Sequence, residues 1–302
     1  MAEADEIIIK YDEPAPLDHL IWFATEKCRP EQRLVIDFDI ASIIIASESA
    51  ENTIYDDSKK QECLEVELNK FIALKEKHSN IAIKMYSIFG KNITNFVQSL
   101  KDNKISFFLN FLPKTIAEVI ALVKYGVSDI YIANYLGFNL TEIRKITEGV
   151  NIRVYPNVAQ NPPVCDLVDE PDNSIKTFFI RPEDLEVYED YVDIIEFYGA
   201  IDKQDVLMDI YKDGYWMGNL NELILDFKEN INCMNLMPDF GFYRLGCEHR
   251  CDLEKCNYCD ISKSLAAELK AKDIYIKKER KDRTNEYNAN EESSFNDGAE
   301  TI

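Results

Sequence analysis

Basic residues are scarce in this 302-residue chain relative to acids: 34 lysines and arginines stand against 55 aspartates and glutamates, for a formal net charge of −21. Charge-driven binding to phosphate backbones or anionic lipid needs basic surface that releases counterions, so nucleic acid is disfavoured as a partner. Long apolar runs are missing as well. None approaches the roughly 18 residues that suggest a membrane span, and the opening MAEADEIIIKYDEPAP carries acids where a secretion signal carries lysines. The expectation is a cytoplasmic protein with no membrane segment. Histidine is rarest of the reactive types, with only His19, His78 and His249. None is evidently placed as a base for Cys165, which argues against a cysteine nucleophile in the loop that holds it.

What the chain does have is apolar residues, 46% of the total, enough for one large barrel or two ordinary domains. Short runs of β-forming residues alternate with segments of helical spacing. The extended runs are 33–40, 81–87, 105–112, 129–134, 152–157, 175–181, 192–198 and 213–217. Between them lie helical patterns at 63–78, 93–100, 116–125 (stopped by Gly126), 140–148, 183–191, 203–212 and 220–227. Near-continuous apolar strands imply a parallel sheet covered by helices, and eight such units favour a closed (β/α)8 barrel of the TIM type over an open doubly wound sheet. The expected organisation is an N-terminal cover over 1–32, the α/β barrel over 33–232, a cysteine-rich metal-binding segment over 233–260, and a charged helix with a disordered acidic tail over 261–302.

Barrel chemistry sits where strands end, so polar residues there are the candidates. Asn110, Asn134, Asn157, Arg181 and Glu196 end successive runs; the first run adds Asp37 and Asp39, the second Lys84 and Ser87. Converging at one mouth, Arg181 would hold an anion, Glu196 or Asp37 would act as acid or base, and the three asparagines would bind substrate. The plainer alternative is that the asparagines start turns and cap helices while the charges solvate the rim.

Four of the eight cysteines crowd into GCEHRCDLEKCNYCD as Cys247, Cys251, Cys256 and Cys259, spaced C-x3-C-x4-C-x2-C. Thiolates at this density can close a tetrahedral zinc site or hold an iron–sulfur cluster. His249, Cys165 or Cys233 could replace or join a ligand. A zinc knuckle that staples the C-terminal segment is the structural reading. Cys28 and Cys63 read as ordinary semi-buried residues.

The stretch IRPEDLEVYEDYVDIIEFYGAIDKQDVLMDIYKDG resembles the collagenase-like peptidase family U32 through Asp184, Leu185, Val192, Asp193, Ile195, Glu196 and Gly199. Upstream, AEVIALVKYGVSDIYIANYLGF is similar to that family's helix-to-strand step through Lys124, Tyr125, Gly126, Asp129 and Tyr131. The resemblance covers about half the chain. It implies a TIM-like barrel, sometimes with a cysteine-bound iron–sulfur cluster, in proteins classed as peptidases or hydroxylating RNA bases or quinone precursors. The functional expectation is an iron–sulfur-dependent hydroxylase or related modifying enzyme acting on a small molecule or RNA base. The alternative is a catalytically inactive, zinc-stabilised scaffold that binds a protein partner.

Overall fold

The computed structural model describes residues 4–11, 14–43, 57–86, 91–133, 140–158, 160, 179–199, 201–216 and 218–225. The chain divides into two units: Met1–Tyr155 with Tyr188–Glu196, and Pro156–Val187 with Phe197–Ile302.

The first unit is α/β, with parallel strands linked by helical crossovers. Its described elements are β1 (Glu6–Tyr11), α1 (Leu17–Glu26), β2 (Arg33–Phe38), α2 (Asp57–Lys77), β3 (Ile81–Met85), α3 (Lys91–Asp102), β4 (Ser106–Leu109), α4 (Ile116–Tyr125), β5 (Asp129–Tyr131), α5 (Leu140–Ile146), β6 (Asn151–Val154) and β7 (Ile194–Ile195). One sheet runs β1-β2-β3-β4 and a second β5-β6-β7, and every described pairing is parallel. Within each sheet every strand lies beside its predecessor in the chain. The backbone N–H of Ser128 donates to the carbonyl of Phe107 at 2.8 Å, tying the entrance of β5 to β4.

Side chains on the strands alternate between two faces, as the pleat requires. One face meets the helices. Tyr11, Phe38, Phe71 and Phe96 form its aromatic centre, with ring centroids 5.3–5.9 Å apart, and Leu34, Ile36, Ile83, Met85, Phe107 and Ile130 extend it. Burying each such large side chain contributes about 1.5–3 kcal/mol relative to leaving it in water. Cys28 lies in this apolar cluster and Cys63 packs against it. The most sharply bounded helix is α4: Thr115 and Glu118 form a reciprocal capping box, and Gly126, at φ 85°, ends it in the left-handed conformation that glycine tolerates.

The opposite face is curled. Glu6 on β1 bonds to Arg153 on β6. On a flat sheet five strand steps span about 24 Å, more than the two side chains together can bridge.

The sequence reading departs from the fold in three places. Residues 1–32, expected as a cover, supply β1, whose Glu6 is in register with Arg33; the sheet therefore starts before residue 33. The eighth expected strand, 213–217, does not form over its described residues: helix α6 (Ile201–Asp213) runs through to Asp213, and Gly214, at φ 73°, ends it. Of the run 175–181, residues 179–181 carry no strand, and the rest lie outside the described residues.

The described part of the second unit is mainly helical. The 3-10 helix Pro182–Tyr188 begins in it, followed by α6 and α7 (Leu220–Leu223), and an isolated parallel bridge joins Val158 to Leu225. Tyr211 anchors α6 by donating its hydroxyl to the carbonyl of Ile180 at 2.6 Å. Among the described residues no helix is long and apolar enough to cross a membrane.

Candidate functional site

The curled face of the first unit is rich in charge, because Glu6, Arg33, Asp37, Lys84, Asp129 and Arg153 share the side of their strands that faces away from the helices. At the N-terminal ends of the strands, Arg33 of β2 forks onto both oxygens of Asp129 on β5, at 2.6 Å each. Asp129 also accepts from Arg153 Nε at 3.2 Å, from Asn151 at 3.1 Å and from the Ser128 hydroxyl at 2.5 Å. Burial pushes the Asp129 carboxyl up, but the hydrogen bonds and charges of Arg33 and Arg153 outweigh it and hold the group below the usual carboxylate range.

Arg153 is the hub. Its side chain is completely buried and reaches Glu6, Asp129 and Glu196, the last at 2.9 Å from Nη1. Burial alone would disfavour the cation, yet the carboxylates of Glu6 and Asp129 reverse this, so the guanidinium is held more firmly protonated than usual. Phe108 supplies a ring 4.4 Å from the guanidinium carbon.

Toward the C-terminal ends lies a second layer. Lys84 Nζ of β3 donates to Glu196 Oε1 at 2.8 Å and to the Tyr155 hydroxyl at 3.0 Å. Tyr131 donates to the other Glu196 oxygen at 2.6 Å. The rings of Tyr131 and Tyr155 stack at 4.5 Å with an 11° interplanar angle, and the lysine ammonium lies 5.4 and 5.6 Å from their centroids. Burial, reinforced by the Glu196 charge, pushes both phenols far up, which keeps them as proton donors. Above this layer Tyr155 bonds Asn110 Oδ1 at 3.3 Å, and Tyr86 donates to Asp37 Oδ2 at 3.2 Å. The other oxygen of Asp37 is buried and has no hydrogen-bond partner among the described residues. Burial raises the Asp37 carboxyl further than Lys84 and the Tyr86 hydrogen bond lower it.

No family model, curated protein or solved structure matches this chain. The resemblance to family U32 therefore rests on the quoted residues alone. Of these, Asp129, Tyr131 and Glu196 line the charged face. Asp193 instead bonds Arg144 through both oxygens and the Ile152 backbone N–H, while Lys124, Tyr125 and Gly126 end α4.

Among the residues expected to form a mouth, Asp37, Asn110 and Glu196 fall in the first unit, together with Lys84 and the two tyrosines. Arg181 and Asn157 belong to the second unit, with partners there. Arg181 forks onto Asp184 at 2.9 Å through both Nε and Nη2, clamping the start of the 3-10 helix, and Asn157 bonds the backbone N–H and carbonyl of Tyr198 at 3.0 and 2.7 Å. Asp39 caps the helical turn at 40–43, accepting from Ala41 and Ser42. Asn134, Ser87, Cys165, Cys233, Cys247, His249, Cys251, Cys256 and Cys259 lie outside the described residues, as do the expected charged helix and tail. Among the described residues no cluster of three or more histidine, cysteine or acidic side chains is arranged for a metal.

Six members of the charged face were not singled out as site residues in the sequence: Glu6, Arg33, Asp129, Tyr131, Arg153 and Tyr155. Their signal is the period-two placement of polar and tyrosine side chains in EIIIKY, RLVIDF, DIY and NIRVY, inside runs otherwise apolar enough to read as buried on both faces.

Proposed function

We propose that the first unit is the major part of a (β/α)8-type barrel that binds a small molecule at the C-terminal ends of its strands and carries out acid–base chemistry on it. The curl that brings β1 to β6 and the chain order of the strands within each sheet support the barrel. One observation carries the site: Asp37 leaves a buried carboxyl oxygen without a partner among the described residues, beside the Lys84–Glu196 pair. An unsatisfied buried acceptor costs about 1–3 kcal/mol, a cost that a ligand donor would remove. With its pKa raised, the Asp37 carboxylate is more basic than usual and suited to take up a proton, and the Lys84 ammonium is the group suited to steady developing negative charge.

The test is a thermal-shift screen of the full chain against small acids, bases, sugars and nucleosides. At least one compound should raise Tm in a concentration-dependent way, and Asp37→Asn should abolish that shift. Hits indifferent to Asp37→Asn, or no hits, would refute the mouth as a binding site. Asp37→Asn should itself leave the unliganded protein as stable or more stable. Because the folded state raises this carboxyl, the wild type loses stability as pH climbs through its titration, so the advantage of the Asp37→Asn variant should be absent in strong acid and grow toward neutral pH.

The quartet Cys247, Cys251, Cys256 and Cys259 is proposed to hold a metal, and an all-thiolate set suits either an iron–sulfur cluster or zinc. A cluster would supply the electron transfer of a U32-like hydroxylase, whereas zinc would only fix the segment. Anaerobic purification should give either brown protein containing iron and sulfide or colourless protein with about one zinc per chain. Metal-free, fully folded protein would remove the proposal. The colourless, zinc-bound outcome favours the scaffold reading, which also draws support from how completely Arg33, Lys84 and Arg153 are matched by carboxylates.

A further inference from the structure

We infer that the mouth of the first unit recognises a small organic cation, one bearing an alkylammonium or guanidinium group. The inference rests on the small-molecule reading above and gives it a substrate class. On the curled face Arg33 is matched by Asp129, Arg153 by Glu6 and Lys84 by Glu196, each through a direct ion pair. Among the described residues, Asp37 is the carboxylate of this face without a direct ion pair. Its two register neighbours both act on it electrostatically: Lys84 on β3, whose ammonium is bonded to Glu196, and Lys10 on β1, whose side chain is exposed and whose charge is screened by water.

The surroundings of Asp37 suit a cation better than a neutral donor. One oxygen is buried and unpartnered among the described residues, and the other is held by Tyr86, which is 48% exposed. A carboxylate beside an accessible aromatic ring, here Tyr86, is the usual equipment for holding an ammonium or guanidinium group, by charge-assisted hydrogen bond and cation–π attraction together. The chain builds the same arrangement once for itself, where Lys84 sits against Glu196 and over the Tyr131 and Tyr155 rings. A net charge of −21 adds long-range attraction for such ligands.

Two probes of nearly one shape and a shorter carboxylate separate the classes: n-butylguanidinium, its neutral isostere N-butylurea, and butyrate. Titration calorimetry on the full chain at low salt should show binding of n-butylguanidinium alone. Asp37→Asn should weaken it at least about tenfold, the effect of losing a hydrogen bond to a charged group. Tyr86→Phe should keep most of the affinity and Tyr86→Leu should lose it; Tyr86 is half-exposed, so both variants should fold, which urea melts would verify. Equal binding of N-butylurea, or preferential binding of butyrate, with either sensitive to Asp37→Asn, would overturn the cation class while leaving the mouth in place as a site. Absence of n-butylguanidinium binding would overturn the inference too, and the metabolite screen would then judge the mouth separately.

Discussion

Replacing Arg153 with methionine should cost about 3–5 kcal/mol of folding stability, the penalty typical of breaking a buried ion pair by removing one partner. Methionine fills much of the same volume, so the loss is electrostatic rather than a cavity effect. Without the guanidinium, Glu6 and Glu196 each lose a direct cationic partner, and Asp129 keeps only Arg33. A total folding stability of about 5–15 kcal/mol is usual for a domain, so the urea midpoint should fall steeply. Adding Glu6→Gln should return part of the loss in the Arg153→Met background, whereas alone it should destabilise, and the double-mutant cycle measures that coupling. A loss below about 1 kcal/mol would mean that the charged face is hydrated and that the network contributes little.

Glu196→Gln should be the other large effect, about 3 kcal/mol or more. Its carboxylate accepts from Lys84, Arg153 and Tyr131, and the amide that replaces it has one oxygen for three donors and turns an N–H₂ toward one of them. Lys84→Met in the same chain should restore much of the stability, because the ammonium left without its carboxylate is then gone. Urea unfolding of the two single variants and the double variant decides this. If the double variant is no more stable than Glu196→Gln alone, Lys84 is not held chiefly by Glu196, and the pairing argument for a surplus Asp37 fails with it.

The helix-facing side of the fold was legible because its signals are local. Alternating apolar runs gave β2 to β6, and the Thr115–Glu118 spacing with Gly126 bounds α4 where helical periodicity placed it. The curled face was harder to read. Its members come from strands far apart in sequence, and a lone arginine in NIRV or aspartate in DIY carries no local mark of its distant partner. Glu196, Asp37 and Asn110 stand at or near the ends of apolar runs, and that position alone made them candidates. Arg181 and Asn157 satisfied the same criterion, yet within the second unit Arg181 clamps nearby Asp184 and Asn157 bonds the backbone of Tyr198, 41 positions further on. The first strand was passed over because a short run among acids near the start of the chain looks like a cover when β2, its pairing partner, is not considered.

The bond between Glu6 and Arg153 joins residues 147 positions apart. During synthesis on the ribosome, strands β1 to β4 can therefore align through their own short crossovers while Glu6, Arg33 and Lys84 remain wet, since Asp129, Arg153 and Glu196 have yet to emerge. Withdrawal of these charges from water must wait for the last strands, which makes drying of the inner face a late and concerted event. A nascent chain halted after β4 would display a polar trough instead of a greasy one, and so would resist clumping while it waits.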